Sequence, residues 1–142
     1  MNLSIERRNL FDLDESWYLA HCISADFVMG AGIAKEFVRR FPDLAVLREG
    51  WVYGEVGDCI PWGRIFNLIT KQKYWQKPNY MTLYCSLLSM RDYIIAFGVK
   101  KLGMPKIGCG LDRLRWSKVE AAIKQAFGDL DIDILVCYLE ED

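Results

Sequence analysis

The sequence has little that would support metal chemistry or a disulfide framework. It contains one histidine, and its five cysteines include no pair at the CxxC spacing. Zinc sites are built from sets of cysteine and histidine ligands, and an odd number of cysteines suits a disulfide framework poorly. We therefore expect no metal site, no cofactor and four cysteines that act as small buried apolar residues. We set Cys109 apart as a candidate for exposure, because it lies between two glycines.

Long apolar runs and a surplus of basic residues are also lacking. No apolar stretch approaches the roughly 18 residues of a membrane span, and the formal net charge is −1. The N-terminus has no basic segment followed by an apolar one, so no signal peptide is indicated. We expect an intracellular, cytoplasmic protein with no membrane contact, the nucleus remaining open. A site for an anionic ligand would have to be local and built largely from backbone amides.

The 142 residues, 52 % hydrophobic and 26 % charged, have the length and composition of one globular domain spanning residues 1–142. Apolar runs of strand length alternate with segments of helical periodicity. The predicted strands are residues 2–5, 18–23, 64–69, 102–104 and 132–138. Three helices are predicted. The first spans residues 33–41 and is ended by Pro42, and the second spans residues 80–97, between the cap Asn79 and Gly98. The third ends at Gly128 and begins at a capping box formed by Ser117 and Glu120. This order predicts an α/β fold with a central, largely parallel sheet covered on both faces.

Two glycine loops follow predicted strands, at the sheet edge where ligands of such folds bind. Residues 29–32 precede a helix, so their amides form a natural phosphate site, although a bare GxG is more often only a tight turn. Lys35 stands where a dinucleotide-binding fingerprint needs its third glycine, and no P-loop occurs. Residues 107–111 form the second loop. Together the loops suggest a ligand with more than one phosphate.

Lys71 and Asp112 are the candidate reactive side chains. Lys71 emerges at the end of a buried strand, where partial desolvation would lower its pKa and free its amine as a nucleophile. Asp112 follows the second glycine loop and is either a loop carboxylate that caps amides or a general acid/base. Lys73 and Lys77 are interpreted as solvated loop residues, and His21, in an apolar run, as a hydrogen-bonded core histidine.

Three stretches together resemble the macrodomain family, and in particular its terminal ADP-ribose protein glycohydrolase branch. They are residues 19–34 with the motifs LAHCIS and MGAGIA, residues 67–80 with NLITK and KPNY, and residues 104–116 with MPKIGCGLDRL and a tryptophan. The resemblance runs from about Leu19 to the C-terminus. It implies a three-layer α/β/α sandwich around a mixed, largely parallel six-stranded sheet.

The resemblance also implies the ligand, ADP-ribose, and the roles of the residues. Lys71 would be the nucleophile and Asp112 would assist it. The first glycine loop would lie near the distal ribose, and the second would wrap the diphosphate. The residues implied to bind the ligand are Asn9, Leu10, His21, Ser24, Met29, Gly30, Ala31, Gly32, Ile33, Thr70, Pro105, Ile107, Gly108, Cys109, Gly110 and Leu111.

One position departs from the family pattern. The family usually has an aspartate near the end of the first strand that accepts a hydrogen bond from the adenine amino group, and the matching residue here is Asn9. An asparagine carbonyl accepts such a bond without the charge. Asp12 would take over the role if the alignment shifts.

The predicted function is hydrolysis of ADP-ribose esters on glutamate or aspartate side chains by a monomeric enzyme, with ADP-ribosylated proteins as partners. Four alternatives stay open. The chain could act on O-acetyl-ADP-ribose or ADP-ribose 1″-phosphate, or on ADP-ribosylated nucleic acid, which the lack of basic surplus disfavours. It could also bind ADP-ribose without turnover, although the Lys71 and Asp112 pair argues against a mere reader.

Overall fold

A computed structural model describes residues 1–139 of the chain. The strands are β1 (Asn2–Arg7), β2 (Tyr18–Ser24), β3 (Cys59–Trp62), β4 (Ile65–Lys71), β5 (Lys101–Met104) and β6 (Asp133–Tyr138); the α-helices are α1 (Gly32–Arg40), α2 (Tyr80–Phe97) and α3 (Trp116–Phe127). There are also two 3-10 segments: Leu10–Asp12 lies between β1 and β2, and Pro42–Glu49 lies between α1 and β3. No helix within the described residues is long and apolar enough to cross a membrane.

The six strands form one mixed sheet in the order β1-β6-β5-β2-β4-β3. All neighbouring pairs are parallel except β3 and β4, which are antiparallel. The parallel strands therefore end at one edge of the sheet, and the loops that follow β2, β4 and β5 meet there. The predicted mixed, largely parallel six-stranded sheet is confirmed.

Two apolar clusters, one on each face of the sheet, make the fold a three-layer sandwich. On one face the strands pack against α2 and α3, with Leu87 and Ile123 fully buried. On the other they pack against α1 and the 3-10 segments, with Phe37 and Leu44 fully buried. Near-continuous burial along β4 matches the unbroken apolar run that the sequence showed.

Two local predictions were confirmed and two were wrong. Asn79 caps α2 and Gly98 ends it with a φ of 65°. The capping box at Ser117 does not form, because α3 begins two residues earlier than predicted, at Trp116, with Arg115 as its N-cap. The Arg115 amide instead donates to the Tyr80 hydroxyl at 3.0 Å, and Trp116 packs on the core in the first turn. Cys85, predicted to be buried, is exposed on α2.

Candidate active site

Lys71, the last residue of β4, lies against Asp112, which directly follows the second glycine loop. Its Nζ donates a hydrogen bond to Oδ1 of Asp112 at 2.8 Å, and the two side chains are only 15 % and 13 % exposed. A register shift at the end of β2 places Ser24 opposite Lys71, and the Ala25 amide donates to the Lys71 carbonyl at 2.9 Å. Strand pairing thus fixes the backbone of the lysine, and a distant loop supplies its carboxylate partner.

A cavity of about 710 Å³ opens beside this pair, a size typical of small-molecule sites. We call it the main cavity. Its walls are the two glycine loops and the loop that follows β4. Twelve of the residues predicted from the sequence line it: Ser24, Gly30, Ala31, Gly32, Ile33, Lys71, Pro105, Ile107, Gly108, Gly110, Leu111 and Asp112.

A second cleft of about 420 Å³ adjoins the main cavity, and the two share Ile33, Pro105, Lys106 and Gly110 as lining residues. Three more predicted residues, Asn9, Leu10 and Cys109, line this cleft. Asp12 is exposed and does not, so Asn9 is the residue that meets the cleft. The two hollows together form one elongated site with Lys71 and Asp112 in one of its two parts.

Both glycine loops require glycine at one position. Gly32 and Gly108 have φ values of 58° and 73°, in the left-handed region that other residues rarely adopt. A Cβ atom at Gly32 would lie 3.1 Å from Cδ1 of Leu111, so the two loops approach each other closely across the site. The N-cap of α1, Ala31, makes no side-chain capping bond, which leaves the first-turn amides available to an anion.

The loop of residues 72–77, here the aromatic loop, forms the remaining wall. Its place after a strand, at the ligand edge of the sheet, was predicted, but its aromatic residues were not predicted to belong to the site. Tyr74 and Trp75 line the main cavity and are 58 % and 68 % exposed. The Tyr74 amide donates to Asp26 at 3.0 Å, which ties this loop to the end of β2. Lys77, predicted to be a solvated residue, lines the cavity and donates to the Leu111 carbonyl at 2.6 Å. The clustering of lysine and aromatic residues in this stretch was the sequence signal that could have assigned the loop to the site.

His21 is a core residue that does not line either hollow. It is fully buried, and its ring stacks on Phe37 with centroids 3.9 Å apart. The Asn67 side chain donates to the Ile60 carbonyl, so its Oδ1 is the atom that accepts from Nε2 of His21 at 2.6 Å. Burial lowers the pKa of His21 to about 4, which keeps the ring neutral. The core interpretation is confirmed.

Met29 and Thr70 are also buried, and neither side chain lines the hollows. Cys22 does line the main cavity, which the sequence did not indicate. Burial, together with the nearby charge of Asp112, raises the pKa of its thiol to about 12. The thiol therefore stays protonated at neutral pH. Within residues 1–139 no cluster of histidine, cysteine or carboxylate side chains could hold a metal ion.

The comparisons with known proteins agree with this geometry. No family model matches the chain. The ADP-ribose glycohydrolase OARD1 of Homo sapiens is 44 % identical over 130 residues, which cover 90 % of this chain and 86 % of that protein. The macrodomain of Thermus aquaticus DarG superimposes with a TM-score of 0.84 at 24 % identity, covering 96 % of this chain and 97 % of that one.

A third similar structure is that of Thermosipho africanus DarTG in complex with ADP-ribose. It has a TM-score of 0.82 at 21 % identity and covers 99 % of this chain and 43 % of that one. The sandwich, its glycine loops and these matches define the class: the chain belongs to the macrodomain family. Within that family its similarity to OARD1 assigns it to the branch of terminal ADP-ribose protein glycohydrolases.

Proposed function

We propose that this chain binds ADP-ribose and hydrolyses the ester that joins ADP-ribose to a glutamate or aspartate side chain of a protein. The observation that carries the proposal is the shielded contact between Lys71 and Asp112 at the cavity wall. A protein that only binds ADP-ribose needs no amine held against a carboxylate. The relative named as an ADP-ribose glycohydrolase, and the neighbour in complex with ADP-ribose, support the choice of ligand and reaction.

The ligand would lie along the elongated site. The distal ribose would occupy the main cavity near Lys71, and the base would occupy the second cleft. The diphosphate would lie between the uncapped first turn of α1 and the second glycine loop, both of which line the cavity. Helix N-termini attract phosphates because their free amides donate and the helix dipole is positive there.

In the first step, Asp112 takes a proton from the Lys71 ammonium across their 2.8 Å hydrogen bond. The Nζ lone pair then attacks C1″ of the distal ribose. A C1″–N bond forms, the C1″–O bond to the ester breaks, and its electron pair leaves with the carboxylate of the substrate side chain. The products are a secondary ammonium that links Lys71 to ADP-ribose and a restored glutamate or aspartate.

In the second step, water attacks C1″ and the C1″–N bond breaks. The electron pair returns to Nζ, and the proton released by the water restores the lysine ammonium. Asp112 passes its proton to solvent. The sum is one ester and one water converted to one carboxylate, one proton and free ADP-ribose. An ester suits this sequence because a carboxylate leaves readily, whereas an arginine nitrogen does not.

The test is release of ADP-ribose from a protein modified on glutamate. Wild type should release it, and Lys71→Ala and Asp112→Ala should not. Lys124→Ala is the matched control: this lysine lies on α3 in an exposed pair with Glu120 and does not line the site. If wild type releases no ADP-ribose but still binds it in a calorimeter, the proposal is wrong. The chain would then be a protein that only binds ADP-ribose, or a hydrolase for another ADP-ribose derivative. O-acetyl-ADP-ribose and ADP-ribose 1″-phosphate belong in the same panel.

The aromatic loop favours a second class of substrate, in which ADP-ribose is attached to nucleic acid instead of protein. Two exposed aromatic rings beside Lys73 and Lys77 are the combination that proteins use to stack single-stranded bases and neutralise their phosphates. ADP-ribose linked to a nucleic-acid base is therefore the alternative substrate. If it is used, Trp75→Ala should slow release from ADP-ribosylated single-stranded DNA far more than release from the modified protein. Equal effects on both substrates would remove this alternative.

A further inference from the structure

Three exposed basic residues, here called the basic rim, lie where the second glycine loop leads into α3: Arg113, Arg115 and Lys118. The segment that carries them, residues 113–119, contains no acidic residue. Within residues 1–139 none of the three forms an ion pair. The acids on either side, Asp112 and Glu120, pair with lysines outside the rim. The rim is therefore an uncompensated positive surface on a chain whose net charge is −1.

The basic rim lies beside the active site and outside the hollows that ADP-ribose would fill. Arg113 directly follows Asp112 in the chain. The Arg115 amide donates to the Tyr80 hydroxyl at 3.0 Å, and Nζ of Lys118 lies 5.2 Å from the centroid of the same ring. None of the three rim residues lines either hollow. The rim is thus placed to contact what is attached to the ligand and not the ligand itself.

The charges of the rim do not stabilise the fold. Arg115 is the N-cap of α3, Lys118 is its third residue, and the first turn contains no acid. The N-terminus of a helix is the positive end of its dipole, so cations are unfavourable there, and the rim residues also repel one another. A charge cluster that opposes stability is typical of a binding surface, where function is kept at the expense of stability.

The basic rim suits carboxylates better than nucleic-acid bases. Proteins that bind single-stranded nucleic acid combine cations with free aromatic faces on which bases stack. Beside the rim, Trp116 packs on the core and the Lys118 amine lies over the Tyr80 ring. The exposed rings of Tyr74 and Trp75 belong to the aromatic loop instead. What the rim offers is guanidinium and ammonium groups, and a guanidinium pairs with a carboxylate through two parallel hydrogen bonds.

We propose that the basic rim binds acidic side chains that flank the modified glutamate or aspartate, so that the preferred substrate is an ADP-ribosylated acidic segment of a protein. The inference rests on the proposed function, because it describes the sequence around the ester that the enzyme cleaves. The rim strengthens substrate binding and leaves the chemical step unchanged, since its side chains lie outside the cavity that holds Lys71.

The experiment uses two peptides that carry the same ADP-ribosylated glutamate. In one the flanking residues are glutamate and aspartate, and in the other they are glutamine and asparagine. Wild type should hydrolyse the acidic peptide with roughly tenfold higher kcat/KM, the combined weight of about three exposed charge pairs. The difference should lie in KM. It should nearly vanish in roughly 0.5 M sodium chloride, because salt screens exposed charges.

The double variant Arg115→Gln/Lys118→Gln tests the rim itself. Its preference for the acidic peptide should fall to roughly twofold or less, while its kcat/KM on the neutral peptide stays at the wild-type value. Urea unfolding should give a free energy equal to or above that of wild type, which a structural role would not allow. Lys100→Gln/Lys124→Gln is the matched control, because it removes the same charge from two exposed lysines outside the rim and should keep the preference.

Equal kcat/KM for the two peptides, or a preference that survives in the rim variant, would overturn the inference and leave the hydrolase proposal intact. If neither peptide is hydrolysed, calorimetry with the unmodified peptides decides. Tighter binding of the acidic peptide, lost in the rim variant, would overturn the hydrolase proposal alone, and equal binding would overturn both. An unmodified single-stranded oligonucleotide of equal charge that displaces the acidic peptide, and binds far more tightly than it, would reassign the rim to nucleic acid and overturn the inference.

Discussion

Lys71 and Asp112 are 41 positions apart in the chain, and their charged atoms lie 2.8 Å apart in the fold. Lys71 ends the buried central strand β4, and Asp112 lies in the loop that follows β5. The contact therefore depends on the complete sheet, because it is the order β5-β2-β4 that brings the two chain segments to the same edge.

If Lys71 is the nucleophile, its adduct can be trapped. Ring opening of the lysine-linked ribose gives an imine, which borohydride reduces to a stable amine. We expect mass spectrometry to find one ADP-ribose on the peptide that contains Lys71 when substrate and borohydride are added together. Lys71→Ala should yield no adduct. Turnover with no adduct at Lys71 would instead indicate direct attack by water.

Asp112→Asn tests whether Asp112 acts as an acid/base or only through the shape of its side chain. The amide keeps the size of the side chain but cannot take the lysine proton. We expect single-turnover hydrolysis to slow by roughly 10²–10⁴-fold, the usual contribution of a positioned acid/base. Calorimetry should find the affinity for free ADP-ribose changed little. A variant that retains wild-type turnover would assign Asp112 to loop structure alone.

Gly108 and Gly110 form a matched pair within one loop. At Gly108, φ is 73° and an added Cβ would lie 2.9 Å from Cδ1 of Leu114, whereas at Gly110 it would meet nothing within 4 Å. Gly108→Ala should lower the free energy of unfolding by roughly 1–3 kcal/mol. Gly110→Ala should leave it nearly unchanged. Urea unfolding measures both, and equal losses would contradict the loop geometry.

His21 makes the free energy of unfolding depend on pH. Its pKa is about 4 in the fold against 6.5 for a free imidazole, because burial disfavours the charged ring. The unfolded chain therefore binds a proton at a pH where the folded chain does not. Stability is complete above pH 6.5, falls as the pH drops and levels off near 4, with a total loss of about 3 kcal/mol.

His21→Gln is the control, since it removes the chain's single imidazole while keeping an amide donor for Asn67. Urea unfolding at several pH values between 7 and 5 measures the slope. The wild-type protein should lose stability steeply in this range, and the variant should not. If stability depends on pH equally in the two proteins, His21 takes up a proton in the folded state as readily as in the unfolded state, and the prediction is wrong.

The sequence predicted those elements that have a strong local pattern. Apolar runs marked β2, β4 and β6, and Asn79 with Gly98 bounded α2. The edge strand β3 was missed, because Cys59–Trp62 is short and contains Pro61, which argues against a strand in the absence of tertiary context. The start of α3 was misplaced, because the Tyr80 hydroxyl and the packing of Trp116, both tertiary effects, outweigh the local signal of Ser117.

For the site, the glycine loops and the reactive pair were predictable, but their surroundings were not. Lys71 and Asp112 stand in recognisable motifs. The contact of Tyr74 with Asp26, and the use of the Asn9 oxygen as a helix cap, depend on how separate loops pack. The predicted monomer and the predicted cytoplasmic location stay predictions.

The two outer strands of the sheet differ from its centre in a way that bears on self-association. β3 carries Pro61, which has no N–H to offer a new strand, and β1 ends in the charged Glu6 and Arg7. Exposed strand edges with free hydrogen-bonding groups recruit further strands, and proline and charge both discourage this. The sheet is thus closed to extension at either end, and at high concentration the protein should resist the edge-to-edge stacking that begins fibril growth.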